Sequence, residues 1–224
     1  MHKQIERIAD EVRELLKHEL PGETAQNKMI PETRKRFKPG PVKREAAVLI
    51  ILYPDKKDIK VSLIKRTEYE GAHSGQISFP GGMKELTDSN LQMTATREAS
   101  EETGIDISEL FLLGKLTPIT IPVSSFKVQP FVAYCRHTPA FKPDPVEVEY
   151  MINIPVIHLL AGNNRKKEKW NLGNFEAQVP FFSYNSFKIW GATAMILSEF
   201  LDVIEGIEPD LWSVEYSDNG YSDT

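Results

Sequence analysis

A short acidic segment constrains this chain more than any other stretch of its sequence. Three glutamates stand three and four residues apart: Glu98, Glu101 and Glu102. A helix places them on one face within a single turn, where like charges repel one another and destabilise the helix. Arg97 offsets part of this repulsion, and a divalent cation would offset far more, because carboxylate oxygens suit Mg²⁺ and Mn²⁺. The spacing fits either a solvated acidic helix face or a metal site.

A pair of glycines lies shortly before this acidic segment, in the string FPGG at residues 79–82. Glycine lets the backbone approach a metal or a phosphate closely and leaves its carbonyls accessible as ligands. Gly104 follows the acidic residues at the point where it would close a helix. Residues 79–105 therefore predict a loop and a helix arranged around one site.

The string from residue 82 to residue 105 resembles the Nudix box, G-x5-E-x7-R-E-U-x-E-E-x-G-U, in which U is aliphatic. Residues 97–105 match the second half of that pattern without a gap. In the first half, Asp88 stands at the first acidic position, and one extra residue separates it from Arg97. Loops absorb such an insertion at small cost. The resemblance implies an α/β fold, a Nudix-type α/β/α sandwich with a mixed β-sheet, and a metal-dependent hydrolase that cleaves diphosphate bonds.

The same resemblance implies roles for the charged residues. The expected ligands of Mg²⁺ or Mn²⁺ are Glu98, Glu101, Glu102 and the carbonyl of Gly81. Arg97 is expected to orient a glutamate through a salt bridge. The proton acceptor is a glutamate of this cluster or one from outside the box, for which we select Glu147, with Glu149 second. A surface acidic patch is an equally weighted interpretation of these last two residues.

The segment before the glycine pair resembles a second motif, L-L-T-x-R-[SA]-x3-R-x3-G-x3-F-P-G-G, which marks the coenzyme A pyrophosphatase branch of the Nudix hydrolases. The matching positions are Leu63, Arg66, Gly75 and residues 79–82, and the departing positions are Ile64, Thr67 and Gly71. Gly71 replaces an arginine, which removes a natural bidentate partner of phosphate. The resemblance implies coenzyme A or a derivative as substrate, with a nucleotide sugar, a dinucleotide or a nucleoside triphosphate as the alternative.

Four residues are the expected substrate contacts: Arg66, His73, Gly82 and Trp190. A lone histidine in a loop is more often part of hydrogen-bonded structure, and an aromatic residue at a helix start is more often part of a core. Trp190 would otherwise line a site for an adenine or pantetheine group. Its string, IWGATA at residues 189–194, also resembles the coenzyme A branch. A Nudix-fold binding module without catalysis is the alternative from another functional class, and the intact glutamates of the box argue against it.

The composition of the chain argues against several other functions. A net charge of −5 disfavours a nucleic acid partner held by bulk electrostatics. The apolar runs are as long as strands and well short of the ~20 residues that cross a membrane. Cys135 is the single cysteine, which excludes an internal disulfide and a cysteine-based zinc site, and its strand-like context predicts burial. The chain starts without a secretory h-region, so we expect cytoplasmic residence. The resemblance to the Nudix hydrolases implies a small diphosphate compound as partner.

We divide the chain into three parts. Residues 1–40 are predicted to form an N-terminal helix and an extended connector, residues 41–206 the Nudix hydrolase domain, and residues 207–224 an acidic, mobile C-terminal tail. Helical spacing of apolar residues within residues 1–20 predicts an amphipathic helix, which packs on the domain or on a second subunit. A homodimer is therefore one expectation. The basic, proline-containing residues 23–42 predict a solvent-facing connector.

The remaining pattern predicts strands interrupted by two main helices. The almost continuous apolar run at residues 46–53 is typical of a central strand buried on both faces. Further strands are predicted at residues 59–65, 115–123, 127–135, 150–155 and 176–184. We expect a helical turn at residues 155–160, a polar loop at residues 163–169 and the second main helix from residue 189 to about residue 204.

Overall fold

The computed structural model describes residues 2–32, 42, 44–68, 75–122, 125–171 and 176–213. Its central strand, β1 (Arg44–Asp55), carries apolar side chains on both faces. Leu49 and Ile51 belong to a smaller core on one side of the sheet, whereas Ile50 and Leu52 belong to the larger core on the other side. Side chains alternate along a strand, so a continuous apolar run needs cover on both faces. The prediction of a central strand at residues 46–53 is confirmed.

Eight strands form one mixed sheet around β1. In chain order the others are β2 (Asp58–Arg66), β3 (Ile77–Ser78), β4 (Gly81–Met83), β5 (Phe111–Lys115), β6 (Ile119–Ile121), β7 (Phe126–Tyr134) and β8 (Val148–Pro155). The sheet runs β3-β2-β1-β7-β5, with β4 paired to β1, β6 to β7 and β8 to β2. β1 and β7 are parallel, whereas β2 and β4 are antiparallel to β1. β4 therefore places its glycines directly beside the central strand.

Helices cover both faces of this sheet. They are α1 (His2–Leu15), α2 (Gly22–Gln26), α3 (Leu91–Thr103), α4 (Val156–Leu160) and α5 (Gly191–Ile204). α3 packs Ala95 and Ala99 into the smaller core, whereas α1 and α5 contribute their apolar faces to the larger core. A sheet between helical layers is an α/β/α sandwich, so the predicted fold class is confirmed.

A separate three-stranded antiparallel sheet consists of β9 (Arg165–Asn171), β10 (Glu176–Tyr184) and β11 (Phe187–Trp190). The prediction of a loop at residues 163–169 is wrong, because most of these residues belong to β9, an edge strand that pairs with β10. The side chains of β9 are charged and exposed, so its sequence lacks the apolar pattern that would predict a strand. The helix start predicted at residue 189 is also wrong. Ile189 and Trp190 pair with β10, and α5 begins at Gly191, whose φ of 65° allows the change from strand to helix.

The first part of the connector that we predicted is helical, and its residues 33–41 lie outside the described part of the chain. α2 and a 3₁₀ turn at Asn27–Met29 occupy its first part, and both are too short to give a periodic apolar pattern. Gln26 Nε2 donates a hydrogen bond to Glu199 Oε2 of α5 at 2.8 Å, and the Thr117 backbone N–H donates to Glu199 Oε1 at 3.0 Å. Glu199 is fully buried, so these bonds anchor the segment to the core.

Residues 207–213, which we assigned to a mobile tail, pack on the domain instead. Ile207 and Trp212 are buried, and Trp212 ends a 3₁₀ turn that begins at Pro209. Gln4 Nε2 of α1 donates hydrogen bonds to the carbonyls of Leu211 at 2.8 Å and Ser213 at 2.7 Å. Residues 214–224 lie outside the described part of the chain. Within the described ranges, no helix combines the length and the apolar character needed to cross a membrane.

Candidate active site

Helix α3, which carries the glutamates of the Nudix box resemblance, is capped at both ends. Asn90 Oδ1 accepts a hydrogen bond from the Met93 N–H at 2.9 Å, and Gly104 ends the helix in the left-handed conformation with a φ of 69°. Ala95 and Ala99 hold one side of α3 against β1. The glutamates of the box are thereby fixed relative to the glycines of β4.

Both glycines of β4 have close neighbours at the position of a Cβ atom. A Cβ on Gly81, whose φ is 153°, would overlap the Ala47 carbonyl of β1. A Cβ on Gly82 would overlap the carboxylate of Glu98. A residue without a side chain is therefore needed at position 81 for β4 to lie this close to β1, and Gly82 leaves room for the Glu98 carboxylate. The Glu98 carboxylate rests directly on the Gly82 backbone.

Asp88 and Arg97 form a buried, bidentate ion pair. Arg97 donates from Nε to Asp88 Oδ1 at 3.0 Å and from Nη2 to Asp88 Oδ2 at 2.9 Å. The Thr94 hydroxyl and the Glu85 N–H also donate to Asp88, at 3.0 and 2.9 Å. The Arg97 guanidinium holds the pKa of Asp88 well below its usual range, and Asp88 in turn raises the pKa of Arg97. Asp88 thus anchors the box arginine despite the extra residue in the loop.

The remaining nitrogen of Arg97 contacts the first two glutamates of the box. Nη1 lies 3.0 Å from Glu98 Oε1 and 2.8 Å from Glu101 Oε2. The Glu101 side chain is 60% exposed, whereas Glu98 is largely buried. Burial raises the pKa of Glu98, while the Arg97 guanidinium opposes that rise.

Glu102 is almost completely buried, with 1% of its side chain exposed. Its Oε2 accepts a hydrogen bond from the Gly81 N–H at 2.7 Å, and its Oε1 accepts one from Arg66 Nη1 at 2.5 Å. Burial raises the pKa of Glu102 to about 7, although Arg66 and the Gly81 N–H act in the opposite direction. Arg66, which we predicted as a substrate contact, thus contacts a box carboxylate in this structure.

Arg66 also brings a carboxylate from outside the box to the site. Its Nη2 lies 3.6 Å from Oε2 of Glu147, whose side chain is 51% exposed. Glu149 is held elsewhere, because Lys65 Nζ contacts its Oε2 at 3.2 Å. Lys65 and Arg66 are consecutive in β2, and the pairing of β2 with β8 shifts register between them. The structure therefore places Glu147, and not Glu149, beside the box glutamates.

The chemistry of the carboxylates fits a hard divalent cation. The available donors are Glu98, Glu101, Glu102 and Glu147. Within the described ranges, no three His, Cys, Asp or Glu side chains converge closely enough to hold a metal ion as they stand. Arg97 contacts two of the four carboxylates and Arg66 contacts the other two, so guanidinium groups already balance much of their charge. A cation would have to compete with those contacts.

The other predicted substrate contacts are only partly located. His73 lies outside the described residues, as does Gly71. Trp190 packs on the second sheet, where its ring meets Trp170 edge to face with 5.2 Å between centroids, and it is paired with Phe181 of β10. Trp190 is half-buried, and its role in substrate binding stays a prediction.

Sequence reasoning missed residues that hold the site in place. The Thr94 hydroxyl donates a hydrogen bond to Asp88. Thr94 precedes Arg97 by three residues, and this helical spacing could have predicted that both side chains contact the same carboxylate. Thr67 donates from its hydroxyl to the Val146 carbonyl at 2.8 Å and from its backbone N–H to the Glu147 carbonyl at 3.0 Å. These contacts fix the segment that carries Glu147. No local pattern links two segments that lie 80 residues apart.

Comparison with known proteins identifies the family. A family profile described as the NUDIX domain matches residues 43–169, which is more than half of the chain. The chain belongs to the Nudix family. This confirms the family that we predicted from residues 82–105, and the match includes the whole of β1 to β8, α3 and both arginines of the site.

Two Nudix relatives and one solved Nudix structure illustrate the similarity. Nudix hydrolase 22, chloroplastic, from Arabidopsis thaliana is 36% identical over 176 residues, which cover 75% of this chain and 57% of that protein. Mitochondrial coenzyme A diphosphatase NUDT8 from Homo sapiens is 29% identical over 143 residues, covering 63% of this chain and 61% of that protein. The matched part therefore spans less than two thirds of either relative. The MutT/nudix family protein from Enterococcus faecalis superposes with a TM-score of 0.51 at 14% identity, over 80% of this chain and 70% of that chain, and supports the fold alone.

Proposed function

We propose that this Nudix protein is a metal-dependent hydrolase that cleaves a diphosphate bond. The observation that carries the proposal is the meeting of α3 carboxylates with Glu147 from a distant segment, next to the glycine backbone of β4. A structural acidic helix face would not need Glu102 buried to 1% exposure or a second carboxylate brought to it by Arg66. The intact box argues in addition against a binding module that has lost its chemistry.

The proposed reaction is attack of water on phosphorus. The water oxygen forms a bond to one phosphorus atom, the P–O bond of the diphosphate breaks, and a carboxylate of the site takes the water proton. A divalent cation held by Glu98, Glu101, Glu102 and Glu147 would supply polarisation of the diphosphate and a lower pKa of the water. The proposed proton acceptor is a glutamate of this cluster or Glu147. Gly81, the remaining ligand from our sequence analysis, would contribute its carbonyl.

We propose coenzyme A or a derivative as the substrate, cleaved into 3′,5′-ADP and a 4′-phosphopantetheine fragment. Support comes from residues 75–82 with Arg66, from the IWGATA string at residues 189–194, and from a relative whose name states coenzyme A diphosphatase activity. The alternative is another nucleoside diphosphate derivative. His73, Gly82 and Trp190 remain proposed substrate contacts.

The proposed partner is this small substrate rather than a nucleic acid, in keeping with the net charge of −5. Cytoplasmic residence stays a prediction, and the two relatives described above carry chloroplast and mitochondrion in their names. The homodimer stays a prediction too. α1 buries Ile5, Ile8 and Val12 in the core of its own domain, so this face gives the homodimer no support.

A panel of diphosphates tests the proposal. We would measure kcat/KM with Mg²⁺ or Mn²⁺ for coenzyme A, dephospho-coenzyme A, ADP-ribose and a nucleoside triphosphate, with the products identified by mass spectrometry. The expected result is the highest value for coenzyme A. A clear preference for ADP-ribose or the triphosphate would reject the coenzyme A substrate and keep the hydrolase. Absence of hydrolysis across a wider diphosphate panel would reject the hydrolase as well.

A further inference from the structure

The carboxylate of Asp88 is shielded from solvent and surrounded by hydrogen-bond donors. Its side chain is 0% exposed. Arg97 donates to both of its oxygens, and the Glu85 N–H and the Thr94 hydroxyl donate to Oδ2. A buried charge depends on such donors, because no water can replace a donor that is lost. The position of Asp88 is therefore controlled by these contacts.

The Thr94 hydroxyl has two acceptors within reach. Asp88 Oδ2 lies 3.0 Å from Thr94 Oγ1, and the Asn90 carbonyl of the preceding turn lies 3.3 Å from it. A hydroxyl has one proton to donate, and the shorter contact with a charged acceptor is the stronger one. Thr94 is itself fully buried, so its hydroxyl cannot donate to bulk water instead. The hydroxyl therefore donates to Asp88.

Each of the five N–H donors of the Arg97 guanidinium has an acceptor. Nε and Nη2 donate to Asp88, and Nη2 also donates to the Met83 carbonyl at 3.3 Å. Nη1 lies 3.0 Å from Glu98 Oε1 and 2.8 Å from Glu101 Oε2. A planar guanidinium whose donors are all in use has one favoured orientation. A shift of Asp88 would therefore turn Nη1 away from both glutamates.

We propose that Thr94 is a positioning residue for hydrolysis, which acts on the first two glutamates of the box through Asp88 and Arg97. This inference rests on the proposed function. The hydroxyl fixes Asp88, Asp88 fixes two nitrogens of Arg97, and the third nitrogen holds the glutamates where they would bind the metal. Asp88 is not among the expected metal ligands, so this support stays in place when metal binds.

Thr96 provides a matched control on the same helix. Its hydroxyl donates within α3, to the carbonyls of Gln92 and Met93 at 3.2 and 3.1 Å. Thr94→Val and Thr96→Val each replace a hydroxyl by a methyl group and keep the branched side chain, but only Thr94→Val removes a donor from Asp88. A merely structural role of Thr94 predicts lower stability with an unchanged rate wherever the variant is folded.

Steady-state kinetics in Mg²⁺ tests the proposal, with the diphosphate of the panel that the wild type hydrolyses fastest. We expect Thr94→Val to lower kcat about tenfold and to keep KM within about twofold, because the orientation of the glutamates is lost while the contacts of the substrate remain. Thr94→Ser keeps the hydroxyl and should stay within about threefold of the wild-type kcat. Thr96→Val should stay within about twofold.

NMR of the metal-free protein gives a second measurement that does not depend on activity. The Nε–Hε signal of Arg97 should shift in Thr94→Val, because Asp88 is its acceptor. The same signal should keep its place in Thr96→Val. If Thr94→Val folds poorly, Thr94→Ala removes the same hydroxyl with a residue that favours the helix, and the same results are expected.

A wild-type kcat in a folded variant without the Thr94 hydroxyl would overturn the positioning role, even if the wild type hydrolyses diphosphates. An unmoved Arg97 signal in that variant would overturn it as well. An equal loss of kcat in Thr96→Val would do the same, because it would show a general effect on α3. A wild type that hydrolyses no diphosphate of the panel would overturn the proposed function and the effect on rate, and the Arg97 signal would then decide the contact separately.

Discussion

Replacing Glu102 by glutamine should change how the stability of the metal-free protein depends on pH. The pKa of Glu102 is about 7 in the folded protein, against an ordinary value of 4.5. Between these pH values the folded protein keeps a proton that the unfolded chain has lost. The free energy of unfolding therefore falls as pH rises from about 4.5 to about 7. Glu102→Gln cannot titrate, so its stability should fall less over this range.

The size of the effect follows from the pKa difference and from the contacts. That difference corresponds to about 3 kcal/mol of unfolding free energy, which the wild type loses through Glu102 between pH 4.5 and pH 8. Glutamine has one carbonyl oxygen to offer to the two donors, Arg66 and the Gly81 N–H. The variant should therefore be less stable than the wild type at pH 5, by about 1–3 kcal/mol. At pH 8 the variant should match the wild type in stability or exceed it by up to about 2 kcal/mol.

Urea unfolding in EDTA at pH 5, 6.5 and 8, followed by tryptophan fluorescence, measures this difference. Glu98 also has a raised pKa and is present in both proteins, so the comparison isolates Glu102 together with its charge coupling to Glu98. Glu149→Gln is the control, because it removes a carboxylate outside the cluster and should follow the wild type. If Glu102→Gln and the wild type lost stability in parallel from pH 5 to pH 8, the argument from burial would be wrong.

Three further predictions concern the metal and its ligands. Exhaustive chelation should abolish hydrolysis, and undiminished activity in chelator would show that the carboxylates act without a metal. Calorimetry should show that the affinity for Mg²⁺ rises by up to about tenfold from pH 6 to pH 7 and levels off above pH 7, because Glu102 must lose its proton to bind metal. A constant affinity over this pH range would contradict the role of Glu102 as a metal ligand. Glu101→Gln should lower kcat by about 10²-fold or more with unchanged circular dichroism, since neutral amides are poor Mg²⁺ ligands, and a parental rate would remove Glu101 from the ligand set.

The sequence was sufficient to predict the parts of the site that are close together in the chain. The glutamates of α3, the glycines before them and Gly104 after them form one continuous pattern, because helix geometry converts their spacing directly into one face. Asp88 was harder to interpret, since the loop before α3 has an extra residue. In the structure, Asp88 still makes a bidentate contact with Arg97, although the loop between them is one residue longer than in the box pattern.

Contacts between distant segments could not be predicted. Arg66 and Glu102 lie 36 residues apart, and their ion pair depends on how β2 and α3 pack on the same sheet. The choice of Glu147 over Glu149 depends on the direction of side chains at the end of β2, which a sequence pattern does not fix. β9 was missed for another reason, because an edge strand is stabilised by its backbone pairing and needs no apolar pattern.

Hydrolysis of the preferred diphosphate by three proteins tests the central claim most directly. We would compare the wild type, Glu98→Gln and Glu149→Gln in Mg²⁺ and in EDTA, using isotopically labelled water and mass spectrometry of the products. We predict that the wild type and Glu149→Gln turn over alike in Mg²⁺, transfer labelled oxygen to a phosphate product, and stop in EDTA. Glu98→Gln should be slower by about 10²–10⁴-fold. The claim of a metal-dependent hydrolase that uses the carboxylates of α3 would be contradicted if Glu98→Gln hydrolysed the substrate as fast as the wild type. It would also be contradicted if EDTA left the rate of hydrolysis unchanged.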